Sequence, residues 1–199
     1  EGTDKMTSTL RQTGLLRLGA ALAATLLVAA CQTTSLSGAS SAIEYRTNAE
    51  VLDDKSVEAK INKGVEDLST QYVMDVTTDA YAGRVLLTGT AGAANAKESV
   101  ERVARSTPEV KTVHNEIQIA GEESATRDLT IAGKLKTKLL ATKGVSSNNY
   151  TIRVVNAVVY IIGIAESDAE FNTVLNVARN VADVKRVVNY INIDASRAS

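Results

Sequence analysis

The sequence predicts an α+β protein of two tandem αββαβ units, each a three-stranded mixed sheet with two helices. Three observations carry that expectation. A shift of 74 residues lays 85–119 on 159–193 without a gap, and 13 of those 35 pairs are identical. Within each copy the apolar period switches between helical spacing and strict alternation. The chain has 199 residues, 44% of them hydrophobic, enough for one ordinary domain or two small ones with a core.

Residues 1–30 read as a signal peptide of the lipoprotein type. Met6 reads as its start, and Arg11 and Arg17 supply a positive region. Residues 18–30 are uncharged and mostly Leu and Ala. That run is shorter than the roughly 20 residues a helix needs to cross a bilayer. It ends in Leu27-Val28-Ala29-Ala30-Cys31, which resembles a bacterial lipobox: a branched residue, two small ones, then the only Cys of the chain. Small residues fit a narrow protease cleft, and the Cys31 thiol is the nucleophile that takes a lipid. Residues 31–52 then form a lipidated tether rich in Ser, Thr and Ala. Two or more acyl chains would hold it stably on a membrane.

The first unit spans 53–120. A helix over 54–68 places Val57, Ile61, Val65 and Leu68 at helical spacing, with Asp53 and Asp54 capping its start. Strands over 73–79 and 85–90 flank a turn at Tyr81-Ala82-Gly83-Arg84, where Gly83 can take positive φ. This copy is expected to carry about two extra residues at its hairpin. A second helix over 94–106 turns Val100, Val103 and Ala104 inward. The third strand, 113–119, alternates apolar residues with His114, Glu116 and Gln118, as a half-buried strand does.

A linker over 121–126 contains the solvated pair Glu122-Glu123. The second unit, 127–194, repeats the order with a helix over 128–142, strands over 150–155 and 158–164, a helix over 168–181 and a strand over 187–193. Its hairpin is Asn156-Ala157. Ser167 and Glu170 have the spacing of a capping box. Residues 195–199 are a tail.

The resemblance to a known family becomes specific at two motifs. Gly89 and Gly163 end the second strands, and Val-Lys-x-Val-x-Asn opens the third strands at 110–115 and 184–189. These units resemble BON domains. Two of them behind a lipobox resemble the dual-BON outer-membrane lipoproteins, over essentially the whole chain after the tether. The glycines read as places where backbone passes closely.

Composition excludes several functions. A net charge of -1 and 4% aromatics, with no Trp, argue against nucleic-acid binding and against stacking platforms. One Cys and one His exclude an intramolecular disulfide, a Cys-rich zinc site and a His-pair metal motif. His114 reads as a surface residue without a Ser/His/Asp constellation, and its counterpart in the second copy is Val188. Gly89-Thr90-Ala91-Gly92 is too short for a phosphate loop and lacks the following Lys. No catalytic residue, metal or cofactor is expected.

The informative asymmetry lies between the first helices of the two units. Residues 53–68 hold three Lys and five acids, whereas 129–144 hold Lys134, Lys136, Lys138 and Lys143 and no acid. At 100° per residue, Ile131, Leu135 and Leu139 face inward. Leu129, Gly133, Thr137 and Leu140 lie on the opposite side, bordered by Thr130 and Ala141. Arg127 and Lys134 flank this strip on one side, Lys136 and Lys143 on the other. A weakly apolar strip between rows of lysine suits an anionic lipid surface. The competing reading packs Leu129 and Leu140 against the first unit and leaves the lysines solvated. The family resemblance favours the lipid reading: it implies phospholipid contact at Thr130, Gly133, Thr137, Leu140, Ala141 and Thr142, with Leu129, Lys134 and Lys138 beside them.

The sequence therefore points to a non-enzymatic lipoprotein of the outer membrane, facing the periplasm, that binds anionic phospholipid and supports the cell envelope. Its other expected partners are outer-membrane assembly proteins. The alternatives are a periplasmic protein-interaction module docking on assembly machinery through its first unit, and a stress-induced holdase-like protein. Mass spectrometry of the native protein should find an acylated N-terminus at Cys31. Cys31→Ala should move the protein out of the membrane fraction, and an intact Ala30–Cys31 bond in the mature protein would overturn the lipid-anchor expectation.

Overall fold

The computed structural model describes residues 44–70, 76–120, 124–194 and 196. The leader, Cys31, the tether through residue 43, the expected start of the first strand at 73, Glu122-Glu123 and most of the tail lie outside these residues. In the first unit the elements are α1 (Asn48–Leu68), β1 (Val76–Tyr81), β2 (Arg84–Ala91), α2 (Ala94–Ser106), β3 (Thr112–Asn115) and β4 (Gln118–Ile119). The second unit has α3 (Ala125–Ala141), a 3₁₀ turn (Ser147–Asn149), β5 (Tyr150–Val155), β6 (Val158–Ala165), α4 (Asp168–Arg179) and β7 (Arg186–Ile193). The sheets run β1-β2-β3, with β4 also on β2, and β5-β6-β7. In each, the hairpin is antiparallel and the last strand parallel. The α+β, twice-αββαβ expectation holds.

Helix α1 begins earlier than its apolar period suggests. Thr47 and Glu50 make the reciprocal capping box, with Glu50 N donating to Thr47 Oγ1 at 3.2 Å and Thr47 N to Glu50 Oε2 at 2.8 Å. The last residues of the expected tether are thus folded. Val57, Ile61 and Val65 are buried, but Leu68 is half exposed at the helix end.

Asp54 does not cap a helix. It lies buried in the middle of α1, and its carboxylate accepts from Ala82 N at 2.8 Å and Gly83 N at 3.1 Å. Asp128 of α3 does the same for Asn156 N and Ala157 N, at 2.7 and 2.8 Å. Both central residues of each turn have positive φ, 53° and 77° in the first and 52° and 63° in the second. These values mark the two-residue type I′ turn, whose twist matches that of the strands. The two hairpins are the same length, with Tyr81 opposite Arg84 and Val155 opposite Val158. The first copy therefore carries no extra residues there. A non-glycine residue at positive φ is strained; the carboxylate from the helix holds the turn in place.

The Val-Lys motif closes each unit onto its turn. Lys111 N donates to Gly83 O at 2.8 Å and Lys185 N to Ala157 O at 2.9 Å. In the first unit the third strand is broken where the sequence predicts one run. The Asn115 side chain leaves the sheet for α2, donating to Lys97 O and Glu101 Oε2 and accepting from Ile117 N. Its counterpart β7 is continuous.

At α4, only half of the expected capping box forms. Glu170 N donates to Ser167 Oγ at 3.2 Å. The buried Glu170 carboxylate instead accepts from Ser146 N and Glu166 N, at 2.7 and 2.8 Å. It ties the loop after α3 to the start of α4.

Among the described residues, buried apolar side chains form three clusters. One joins α1 and α2 to Val85 and Leu87, and another joins α3 and α4 to Val159 and Ile161. The third lies on the opposite faces of both sheets, where Tyr81 and Leu86 meet Tyr160, Ile162 and Ile164. Each sheet is therefore buried on both sides, by its own helices and by the other sheet.

Polar groups are paired across this seam. Arg153 holds Asp79 through two bonds of 2.6 and 2.7 Å. Arg84 donates to Tyr190 O at 2.5 Å and Gly163 O at 2.8 Å. Gln118 donates to Val155 O and the Tyr160 hydroxyl, and the Tyr190 hydroxyl donates to Glu116. Tyr45 comes in from the tether side. Its amide donates to Asn149 Oδ1 at 2.6 Å, and its hydroxyl, pushed up to about 12 by burial, bonds Ser146 and Glu166.

Gly89 and Gly163 do not end their strands, which run on to Ala91 and Ala165 as these residues pair with the last strand; they occupy matched places opposite Val76 and Tyr150. Gly89 has φ 112°, and a Cβ on Gly163 would fall on the carbonyl oxygen of Asn149. Gly→Val at either position should lower the melting midpoint, by about 1 kcal/mol or more of stability. Asp128→Ala, which strips two turn amides of their acceptor, should cost about 2–3 kcal/mol. Melts of the three variants check this, and unchanged midpoints would refute the roles assigned to these residues.

Candidate functional site

The inward stripe of α3 is as the period predicts: Ile131, Leu135 and Leu139 are buried. On the opposite side Leu129 is 73% and Leu140 47% exposed. Thr130, Gly133, Lys134, Thr137, Lys138 and Ala141 are exposed as well, and Thr142 is half-buried. Among the described residues neither leucine is buried against the first unit, though Leu129 lines a hollow that Thr77 and Thr88 also line. The seam is built from the sheets instead, and among the described residues this face of α3 is exposed.

The hydroxyls of this strip are not offered to solvent partners. Thr130 Oγ1 donates to Thr126 O at 2.8 Å, Thr137 Oγ1 to Gly133 O at 3.0 Å and Thr142 Oγ1 to Lys138 O at 2.6 Å. Each threonine satisfies its hydroxyl on its own helix. The surface between the leucines is thereby more apolar than the residue names suggest. Lys138 differs from its expected place along the strip: its ammonium reaches Asn180 O at 3.4 Å, beyond the end of α4.

The matching face of α1 has opposite character. Lys55 pairs with Glu58 at 2.6 Å, Lys60 with Glu109 at 3.0 Å, and Lys63 with Asp67. Its charges neutralise one another locally. The four lysines between Leu129 and Gly144 have no acid on their own helix segment to do so.

Two hollows flank α3. One of about 530 Å³ lies between Leu129, Gly133, Lys136 and Leu140 on the helix and Tyr150 to Arg153 on β5. A second of about 630 Å³ extends past Ala125 and Asp128 to Thr77 and Thr88 of the first unit. Both share Leu129, Ala132, Ile152 and Arg153 as walls. Sequence periodicity finds the exposed strip but not these hollows, because their second wall comes from strands distant in sequence.

His114 is not a surface residue. Its ring stacks on Tyr190, with centroids 3.8 Å apart and planes at 19°. Burial, with the nearby Arg84 guanidinium, holds its pKa below the usual 6.5, against the opposing pull of Glu116. It serves the seam between the sheets. Among the described residues, no group of three or more His, Cys, Asp or Glu side chains could hold a metal. None of the described helices is long and apolar enough to cross a membrane.

Comparison with known proteins gives a consistent picture. The BON domain family model matches residues 53–121 and again 127–195. An uncharacterized protein from the gshII 5′ region of Anaplasma centrale is 36% identical over 150 residues, covering 73% of this chain and 98% of that one. The 21 kDa hemolysin of Actinobacillus pleuropneumoniae is 29% identical over 154 residues, covering 75% of this chain and 79% of the hemolysin. The outer membrane lipoprotein DolP of Haemophilus influenzae is 26% identical over 183 residues, covering 87% and 94%.

The half-buried imidazole gives the seam a pH dependence. A lowered native pKa means that the unfolded chain binds the proton more readily, so stability should fall as pH drops below about 6.5. Thermal melts should show a lower midpoint at pH 5.5 than at pH 7.5. His114→Phe keeps a ring on Tyr190 and should remove most of that difference. An equal shift in the variant would refute this assignment.

Proposed function

The chain belongs to the BON domain family, in two tandem copies, and on that premise we propose that it is an outer-membrane lipoprotein that binds anionic phospholipid through the exposed face of α3. It works without turnover, supporting the integrity of the cell envelope from the periplasmic side. The observation that carries this reading is the strip from Leu129 to Leu140: exposed leucines, threonines bonded back to their own helix, and lysines without acids on 129–144.

The physical chemistry of such a face favours a lipid surface. Burying one exposed leucine among acyl chains contributes about 1.5–3 kcal/mol. Each lysine near an anionic surface adds ~1 kcal/mol before screening. Lysine stems cover apolar surface while their ammonium groups reach headgroups. Without Trp, the helix relies on these terms and has no indole anchor.

The tether supports the same orientation. Tyr45, the point where the described chain leaves the tether, is bonded to Ser146 and Asn149, in the loop that follows α3. A chain anchored at Cys31 would therefore enter the folded body beside the C-terminal end of the proposed lipid face. The relationship to the outer membrane lipoprotein DolP supports a lipid anchor at the outer membrane.

Flotation of an unlipidated 32–199 fragment on liposomes tests the proposal. Wild type should float with vesicles containing phosphatidylglycerol and not with phosphatidylcholine alone. Leu140→Glu should abolish flotation without unfolding the second unit, because that side chain points away from the core. Lys134→Glu with Lys138→Glu should weaken binding most at low salt, since headgroup attraction is screened over ~8–10 Å at 0.1–0.15 M ionic strength. Lys60→Glu with Lys63→Glu should do little. A wild-type fragment that ignores anionic vesicles would overturn the lipid reading.

A further inference from the structure

The two units differ at one backbone edge in a way that the lipid reading does not use. β1 and β5 are the outer strands of their sheets. In each hairpin the residues closing the two-residue turn are a hydrogen-bonded pair, so alternate residues bond the neighbouring strand and the others turn their amides outward. In β1 the outward set includes Ala80, and in β5 it includes Ile152 and Val154.

The first unit covers its edge. Glu58 of α1 accepts from Ala80 N at 2.9 Å, and Lys55 pairs with Glu58 above it. One repeat later these positions are Ala132 and Leu129. The carboxylate that occupies the outward amide in the first unit is replaced by a methyl group in the second. Its lysine partner becomes a leucine that is 73% exposed. The space left is where the two hollows meet, walled by Ala132, Leu129 and Ile152.

We propose that the free edge of β5, under Leu129, Ala132 and Leu140, accepts an extended acidic peptide as an added strand. The outward amides and carbonyls of Ile152 and Val154 would supply the main-chain bonds, and the apolar residues of α3 would receive alternate side chains. Charge selects the occupant. Lys136 lines the hollow, and Lys134 and Lys143 lie on the same acid-free segment of 129–144. A second copy docking edge to edge would bring two lysine-rich helices together, so a peptide with Asp or Glu beside β-branched residues fits better. The groove shares Leu129 and Leu140 with the lipid face, so peptide and bilayer should exclude one another.

The test transplants the cover of the first unit. Ala132→Glu places a carboxylate where Glu58 stands, able to occupy the Val154 amide. The probe is a degenerate library of acetylated octapeptides, Val, Ile or Thr alternating with Asp, Glu or Ser, incubated with the 32–199 fragment. Peptides retained by wild type should bind at least tenfold more weakly to Ala132→Glu. They should also lose binding when alternate amides are N-methylated. In amide NMR spectra, Ile152 and Val154 should shift most. Ala132→Glu should still float on phosphatidylglycerol vesicles, and retained peptides should reduce flotation of wild type. Three results would overturn the proposal: no enrichment over the N-methylated library, retention unaffected by Ala132→Glu, or shifts confined to the outer face of α3. If Ala132→Glu abolished flotation and left peptide binding unchanged, the hollow would be a lipid subsite instead.

Discussion

The second sheet is apolar on both faces, and the face turned from its own helices is buried against Tyr81 and Leu86 of the first sheet. The strand Val158–Ala165 alternates Val159 and Ile161 toward its helices with Tyr160, Ile162 and Ile164 toward the other sheet. Burying each such side chain stabilises the fold by about 1.5–3 kcal/mol, so the two units are held together by the same force that folds each one. Two polar pairs in this seam, Asp79 with Arg153 and Glu116 with Tyr190, join positions one repeat apart. Residues nearest the axis of a two-fold pairing meet in this way. The duplicated units thus pair as a homodimer would, within a single chain.

That pairing decides which surfaces remain for function. The sheets are covered, so the outer faces of the helices are where the copies are free to differ. Positions that hold the fold are kept: Asp54 and Asp128 anchor equivalent turns, and Gly89 and Gly163 stand opposite the first residues of β1 and β5. Positions outside it have changed chemistry. The self-neutralised face of α1 contrasts with the lysine-flanked leucines of α3, and Glu58 over a strand edge contrasts with Ala132 beside an open one. A membrane-facing role and a peptide-facing role both draw on this divergence in the second unit.

The docking of the tether follows from the seam as well. Tyr45 is buried because the junction of the sheets offers it an apolar wall, with Asn149, Ser146 and Glu166 to satisfy its polar atoms. Arg46 stacks over Tyr81 at 3.9 Å and bonds Asp54, which links the entering chain to the first hairpin anchor. The last residues of the segment that composition assigns to the tether are thereby made part of the folded body.

The amino-acid sequence by itself determined the repeat, the order of elements, the inward stripes of the helices and the exposed strip of α3. Each of these depends on local period or on matching residues at a constant offset. Some details were readable but easily passed over, such as Thr47 and Glu50 at the true start of α1, or the nearly unbroken apolar run of β6 that signals burial on two faces. The tertiary structure alone decided the rest. Asp54 looks like a helix cap until the hairpin arrives beneath it, and His114 looks solvated until Tyr190 lies against it. Glu116 and Gln118 occupy a polar strand face that becomes an interface only when the second sheet closes on it. In each case the partner is between 28 and 76 residues away, and no local pattern encodes which distant group will meet an exposed side chain.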